Sequence, residues 1–183
     1  MKRLCLAVAV SAILAVPAAA QTVIVVRHAE KAEQSADPVL SDLGEARAAA
    51  LAETLTGAGV THVFVSPLQR TALTAGPAAG AAGAEPVAVS LDGGSAAHVA
   101  RLVGQVRRLS PEAVVLVVGH SNTVPDIARA LGADGAAAMD ECEYDRLTVL
   151  TLTPTGAHAV TGRYGAVSPC QDACEPRPEL PPV

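Results

Sequence analysis

Two histidines and two arginines, each arriving at the end of a short apolar run, are the residues of this chain best suited to chemistry. Val23-Ile24-Val25-Val26 stops in Arg27-His28, Val114 to Val118 stops in Gly119-His120-Ser121-Asn122, and Val63-Phe64-Val65 stops in Ser66-Pro67-Leu68-Gln69-Arg70-Thr71. Arginine offers a planar fork of donors that keeps its charge and matches phosphate oxygens in pairs. A neutral imidazole can attack phosphorus and carry the phosphoryl group covalently, which splits one difficult displacement into two easier ones. Guanidinium charges nearby disfavour the imidazolium and so keep the nucleophile neutral. They also stabilise the charge spread over the equatorial oxygens of a phosphoryl-transfer transition state. The inventory points to phosphoryl transfer.

The elements that must position these residues follow from the pattern around them. Runs of β-branched residues without alternation suit strands buried on both faces, as in a parallel sheet, and ligands of such sheets sit beyond the carboxyl ends of the strands. A helix is expected from Ser41 or Asp42, with Glu45 at capping-box spacing from Asp42, with Leu51, Leu55 and Ala58 at helical spacing, and with Gly57 and Gly59 to end it. A second helix is expected from Gln69 to about Gly80, then a short strand from Pro86 to Val89. Ser95 to Leu109 reads as a helix with Val99, Leu102, Val103 and Val106 inward and Arg101, Arg107 and Arg108 on a solvated face. Thr123 caps the next helix, with Asp126 at its positive end and a stop at Leu131-Gly132. Leu147 to Thr153 and Ala157 to Arg163 are strands around a tight turn at Thr153-Pro154-Thr155-Gly156. The alternation of strands and helices indicates an α/β domain.

These residues carry a resemblance to a family. Arg27-His28-Ala29-Glu30 resembles the Arg-His-Gly or Arg-His-Ala signature of the histidine phosphatase superfamily, the phosphoglycerate-mutase-like proteins. Leu40-Ser41-Asp42-Leu43-Gly44 is similar to the segment that opens its first helix, Ser66 to Thr71 to its Ser-x-x-x-Arg-Thr segment, and Val118 to Ser121 to its Gly-His segment. The match runs in the family's order from about Thr22 to Gly165. It implies a three-layer α/β/α sandwich with a mostly parallel central sheet. It also implies that His28 is the nucleophile, that Arg27 and Arg70 hold the phosphoryl group, and that His120 hydrogen-bonds the transferring oxygens. The family's proton donor usually lies beyond the third strand. Asp92 is the only carboxyl in that region here, with Asp126 and Glu30 as alternatives.

The chain begins with a basic Met1-Lys2-Arg3, an apolar stretch from Leu4 to Val16, and Ala18-Ala19-Ala20, the pattern of a secretory signal cleaved after Ala20. That segment is short for a membrane span, and Cys5 is misplaced for a lipid anchor, so an exported, periplasmic or secreted protein is expected. Residues 21–167 would form the catalytic domain, and the Tyr164-Gly165 end with the Pro-rich tail from Ser168 a surface extension. Without Lys2 and Arg3 the chain has 11 basic and 18 acidic residues, a net charge of about −7, which offers no stripe for nucleic acid. Three aromatic residues leave the core to Val, Leu, Ile and Ala. Of Cys142, Cys170 and Cys174, a bond from Cys142 to one of the other two would tether the tail. His62, His98 and His158 read as packing or surface residues, because no second ligand stands at metal spacing, so no metal and no cofactor are expected.

The expected function is hydrolysis of a phosphomonoester or related phosphoryl compound through a phosphohistidine. Little chain is available for a substrate cap after Val89 or between Gly132 and Glu141, which suggests an open site for a phosphate on a bulky or varied carrier. A non-catalytic phosphate-binding or interaction module is the alternative from another class, and a phosphomutase a third.

Overall fold

The computed structural model describes residues 20–168 and Cys170. The expected signal segment before Ala20, Cys174 and the rest of the Pro-rich tail lie outside the described residues. Ten elements follow in the order β1 (Gln21–Arg27), α1 (Asp42–Thr54), β2 (His62–Val65), α2 (Gln69–Ala82), β3 (Pro86–Ala88), α3 (Gly94–Val106), β4 (Val114–Gly119), α4 (Val124–Ala130), β5 (Arg146–Thr153) and β6 (Gly156–Arg163).

The strands form one sheet in the order β3-β2-β4-β1-β5-β6. The first four of these strands run parallel, and β5 and β6 are antiparallel additions. The β-branched run of β1 is buried on both faces, as its lack of alternation requires. Val23 and Val25 join Val115, Val117 and the inward faces of α3 and α4, while Ile24 and Val26 join Leu116, Val118 and the inward faces of α1 and α2. This is a three-layer α/β/α sandwich.

Adjacent strands β1 and β4 therefore send their chains to opposite faces of the sheet, β1 toward α1 and β4 toward α4. A crevice opens at their carboxyl ends, the place where open α/β sheets bind ligands. The two ends are locked together, because the His28 N–H donates to the Gly119 carbonyl at 2.9 Å.

Some helix and strand ends differ from expectation for local reasons. Ser41 is the cap of α1, its hydroxyl accepting from the Gly44 N–H at 3.2 Å, so Asp42 is already helical and no box forms from it to Glu45. That helix ends at Thr54, short of Ala58. Thr123 does not cap α4 with its side chain; its hydroxyl instead accepts from the His120 N–H at 2.9 Å. Strand β3 stops at Ala88, though the Val89 N–H still donates to Val65. Tyr164 and Ser168, expected on a surface extension, are buried. Arg47 draws the first in by donating to the Tyr164 and Ala166 carbonyls, and the Ser168 hydroxyl donates to Asp145 at 2.7 Å.

Candidate active site

His28 follows directly from β1 and is nearly fully buried. Its Nδ1 stands 2.8 Å from the Ala29 carbonyl oxygen, which can only accept, so Nδ1 carries the proton and Nε2 keeps its lone pair. The Ala29 N–H donates to Thr74 Oγ1 at 2.8 Å, which pins the strand end to α2. Burial, and after it the charges of Arg27, His120 and Arg70, push the His28 pKa down to about 3. At neutral pH the ring is uncharged, with the lone pair of Nε2 available.

His120 follows β4, with its ring centroid 5.3 Å from that of His28 in an edge-to-face arrangement. Its Nε2 lies 3.0 Å from Ser66 Oγ, and its buried Nδ1 has no partner among the described residues. Burial and the charge of Arg70 push its pKa down to about 4. Gly119 before it leaves no room for a side chain, since a Cβ there would stand 2.9 Å from Thr123 Oγ1.

Arg70 enters from the first turn of α2. Its Nη1 donates to the Ala36 carbonyl at 3.3 Å and lies 3.8 Å from Asp37 Oδ1, while its buried Nε has no partner among the described residues. Arg27 is more heavily committed. Its Nη1 donates to the carbonyls of Asp140, Glu141 and Glu143, its Nη2 donates to Glu141 Oε2 at 3.0 Å, and its guanidinium lies 4.1 Å above the centre of the Tyr144 ring.

Arg27, His28, Arg70 and His120 line one cavity of about 340 Å³, together with Lys31 and Glu141. The structure does not bring the expected proton donors into it. Asp92 is exposed and accepts from Ser90 Oγ at 2.7 Å, although its neighbours Leu91 and Ser95 do line the cavity. Asp126 pairs with Arg129 at 2.7 Å, and Glu30 is held by Arg47 through both carboxylate oxygens. Arg101 and Arg107 stay on an exposed face and donate to backbone carbonyls. Among the described residues no group of three or more His, Cys, Asp or Glu side chains is placed to hold a metal ion.

Comparison with known proteins agrees with this geometry. Residues 23–92 match the family model of the histidine phosphatase superfamily (branch 1). Over those residues the chain is similar in sequence to the histidine phosphatase superfamily. SixA from Nakamurella multipartitia superposes with a TM-score of 0.58 at 25% identity, over 82% of this chain and 98% of that one. A protein histidine phosphatase SixA complexed with tungstate gives 0.58 at 21%, over 82% and 98%. A native mycobacterial glucosyl-3-phosphoglycerate phosphatase gives 0.58 at 16%, over 80% and 99%. The last two are likenesses of fold alone. No curated protein matches the chain.

The superfamily match stops at Asp92, before the second histidine and before the loop that holds Arg27. Sequence reasoning missed that loop. Glu141 carries no periodic or motif signal, and tertiary contacts with Arg27 and Ser121 bring it to the cavity.

Proposed function

We propose that this chain is an exported, metal-independent phosphatase that hydrolyses a phosphomonoester or related phosphoryl compound through phospho-His28. The observation that carries the reading is the tautomer of His28: Nδ1–H is committed to the Ala29 carbonyl, and a neutral Nε2 is left in a cavity shared with two arginines and a second histidine. In the first step Nε2 attacks phosphorus and the bond to the leaving oxygen breaks, with a proton supplied to that oxygen. In the second, water attacks the phosphohistidine, the P–N bond breaks, and phosphate leaves while the electron pair returns to Nε2. Arg27 and Arg70 neutralise the transferring oxygens in both steps, and His120 Nδ1 is free to contact them.

Solved relatives in fold include a protein histidine phosphatase and a phosphatase of a sugar-linked phosphoglycerate, so the shared element is the phosphoryl group rather than its carrier. An open site suits a bulky or varied carrier. Rapid quench with a labelled aryl phosphomonoester is expected to trap acid-labile, base-stable label on His28. Loss of the label in His28→Ala, with turnover unaffected by chelators, is the expected pattern. Label on a serine, or turnover without labelling, would overturn it. Mass spectrometry of the exported protein should find the chain beginning at Gln21; a retained residue 1–20 segment would refute the processing.

A further inference from the structure

Phosphoryl transfer to and from His28 requires a proton to be moved twice, and of the acidic side chains among the described residues only Glu141 lines the cavity. Its position is built from both sides of the site. Oε1 accepts from Ser121 Oγ at 2.5 Å, the residue after His120, and Oε2 accepts from Nη2 of Arg27 at 3.0 Å, the residue before His28. The loop beneath it is anchored by the three carbonyls that Arg27 Nη1 holds and by the Cys142–Cys170 disulfide. The Glu141 side chain is nevertheless 82% exposed, so water and a leaving group can both reach it.

We propose that Glu141 is the proton-transfer residue of this site. It takes a proton from the water that hydrolyses phospho-His28 and returns it to the leaving oxygen of the next substrate. The proposal rests on the reading of the chain as a phosphatase acting through His28. In hydrolysis an O–P bond forms, the P–N bond breaks with its electrons going to Nε2, and the water proton passes to the Glu141 carboxylate. In the following transfer an N–P bond forms, the P–O bond to the carrier breaks, and the same proton goes to the departing oxygen.

The electrostatics agree with both halves. In the empty cavity the Ser121 hydrogen bond, with Arg27 and Lys31 nearby, holds the Glu141 carboxyl below its usual range, so it is an ionised base. An arriving phosphoryl dianion competes for the charge of Arg27 and repels the carboxylate, and both effects raise its proton affinity when an acid is needed. The other carboxyls weighed for this role have partners of their own outside the cavity.

Glu141→Gln separates the role from simple support of Arg27. Turnover of an alkyl phosphomonoester is expected to fall by about 10² to 10⁴, the range of general acid–base catalysis. An aryl phosphate with a good leaving group should still phosphorylate His28 at close to the wild-type rate. Because the second step then lacks its base, phospho-His28 should accumulate after a burst of one equivalent. Added formate should restore turnover in Glu141→Ala, which a displaced loop would not allow. Equal slowing of both substrates without accumulation, or no change in either, would overturn the proposal. Wild-type protein that turns over neither substrate and takes no label would instead sink the phosphatase reading on which it rests.

Discussion

Whether His28 can attack phosphorus depends on which ring nitrogen keeps the proton, and a single backbone carbonyl decides it. Burial then prevents the second protonation that would end nucleophilicity. Nuclear magnetic resonance titration should accordingly place the midpoints of His28 and His120 near pH 3 and pH 4, well below the ordinary 6.5. Both folded-state values lie below the unfolded one, so as pH falls the unfolded chain takes up protons first. Stability that is fully present above about pH 6.5 should be lost through the window from 6.5 down toward 4 and 3, and the unfolding midpoint of His120→Asn should fall less steeply there than that of wild type. An equal slope in the two proteins would refute the assignment. The two arginines should also separate. Each Ala substitution is expected to cost on the order of 10² or more in turnover. Only Arg27→Ala should also lower the unfolding midpoint clearly, because three loop carbonyls lose their donor at once. All four residues could be read from the ends of apolar runs. The second task of Arg27 could not, because its partners lie more than a hundred residues away.

The first helix shows how an element is held at the distance the site needs. Gly44 lets α1 approach the end of β1, since a Cβ there would stand 2.2 Å from the Glu30 carbonyl oxygen. Arg47, fully buried one turn later, then closes on Glu30 with three hydrogen bonds of 2.6 to 3.0 Å. The helix thereby fixes the chain just after His28. Arg47→Met would leave the Glu30 carboxylate in a largely buried position without its counter-charge, a change that typically costs about 3–5 kcal/mol. Chemical denaturation should register a loss of that order, and Arg47→Met combined with Glu30→Gln should recover much of it. A single variant within about 0.5 kcal/mol of wild type would show that the pair contributes little. The glycine was visible in the sequence as part of a motif, but its reason was not. Glu30 read as an alternative proton donor, because burial and pairing depend on which helix packs over the strand. Thr123 likewise fits a cap by type, and the closer partner proved to be the His120 N–H.

Across the whole molecule, the fold class was legible because strands buried on both faces leave continuous apolar runs and the helices between them keep a 3.6-residue period. Strand order was not legible, since periodicity records burial and not which strand lies alongside. The bond from Cys142 to Cys170 is one of the two pairings the sequence left open, but its place beside the cavity was not legible. Glu141 reaches the cavity, and its neighbour Cys142 is exposed and bonded to Cys170. Closing a loop across a sequence separation of 28 stabilises a fold by roughly 3–4 kcal/mol in the chain-entropy account. Here the cross-link also constrains the carbonyls that orient Arg27. Reduction should therefore lower the unfolding midpoint and, at temperatures where the protein remains folded, weaken the site by loosening Arg27 and Glu141 together. The expected readout is a several-fold drop in kcat/KM on adding a thiol reductant, reversed on reoxidation. Cys142→Ser with Cys170→Ser should show the reduced-state value with or without reductant. If reduced and oxidised protein differ in unfolding midpoint but share the same kcat/KM, the hydrogen bonds of Arg27 alone hold the loop and the disulfide serves only stability.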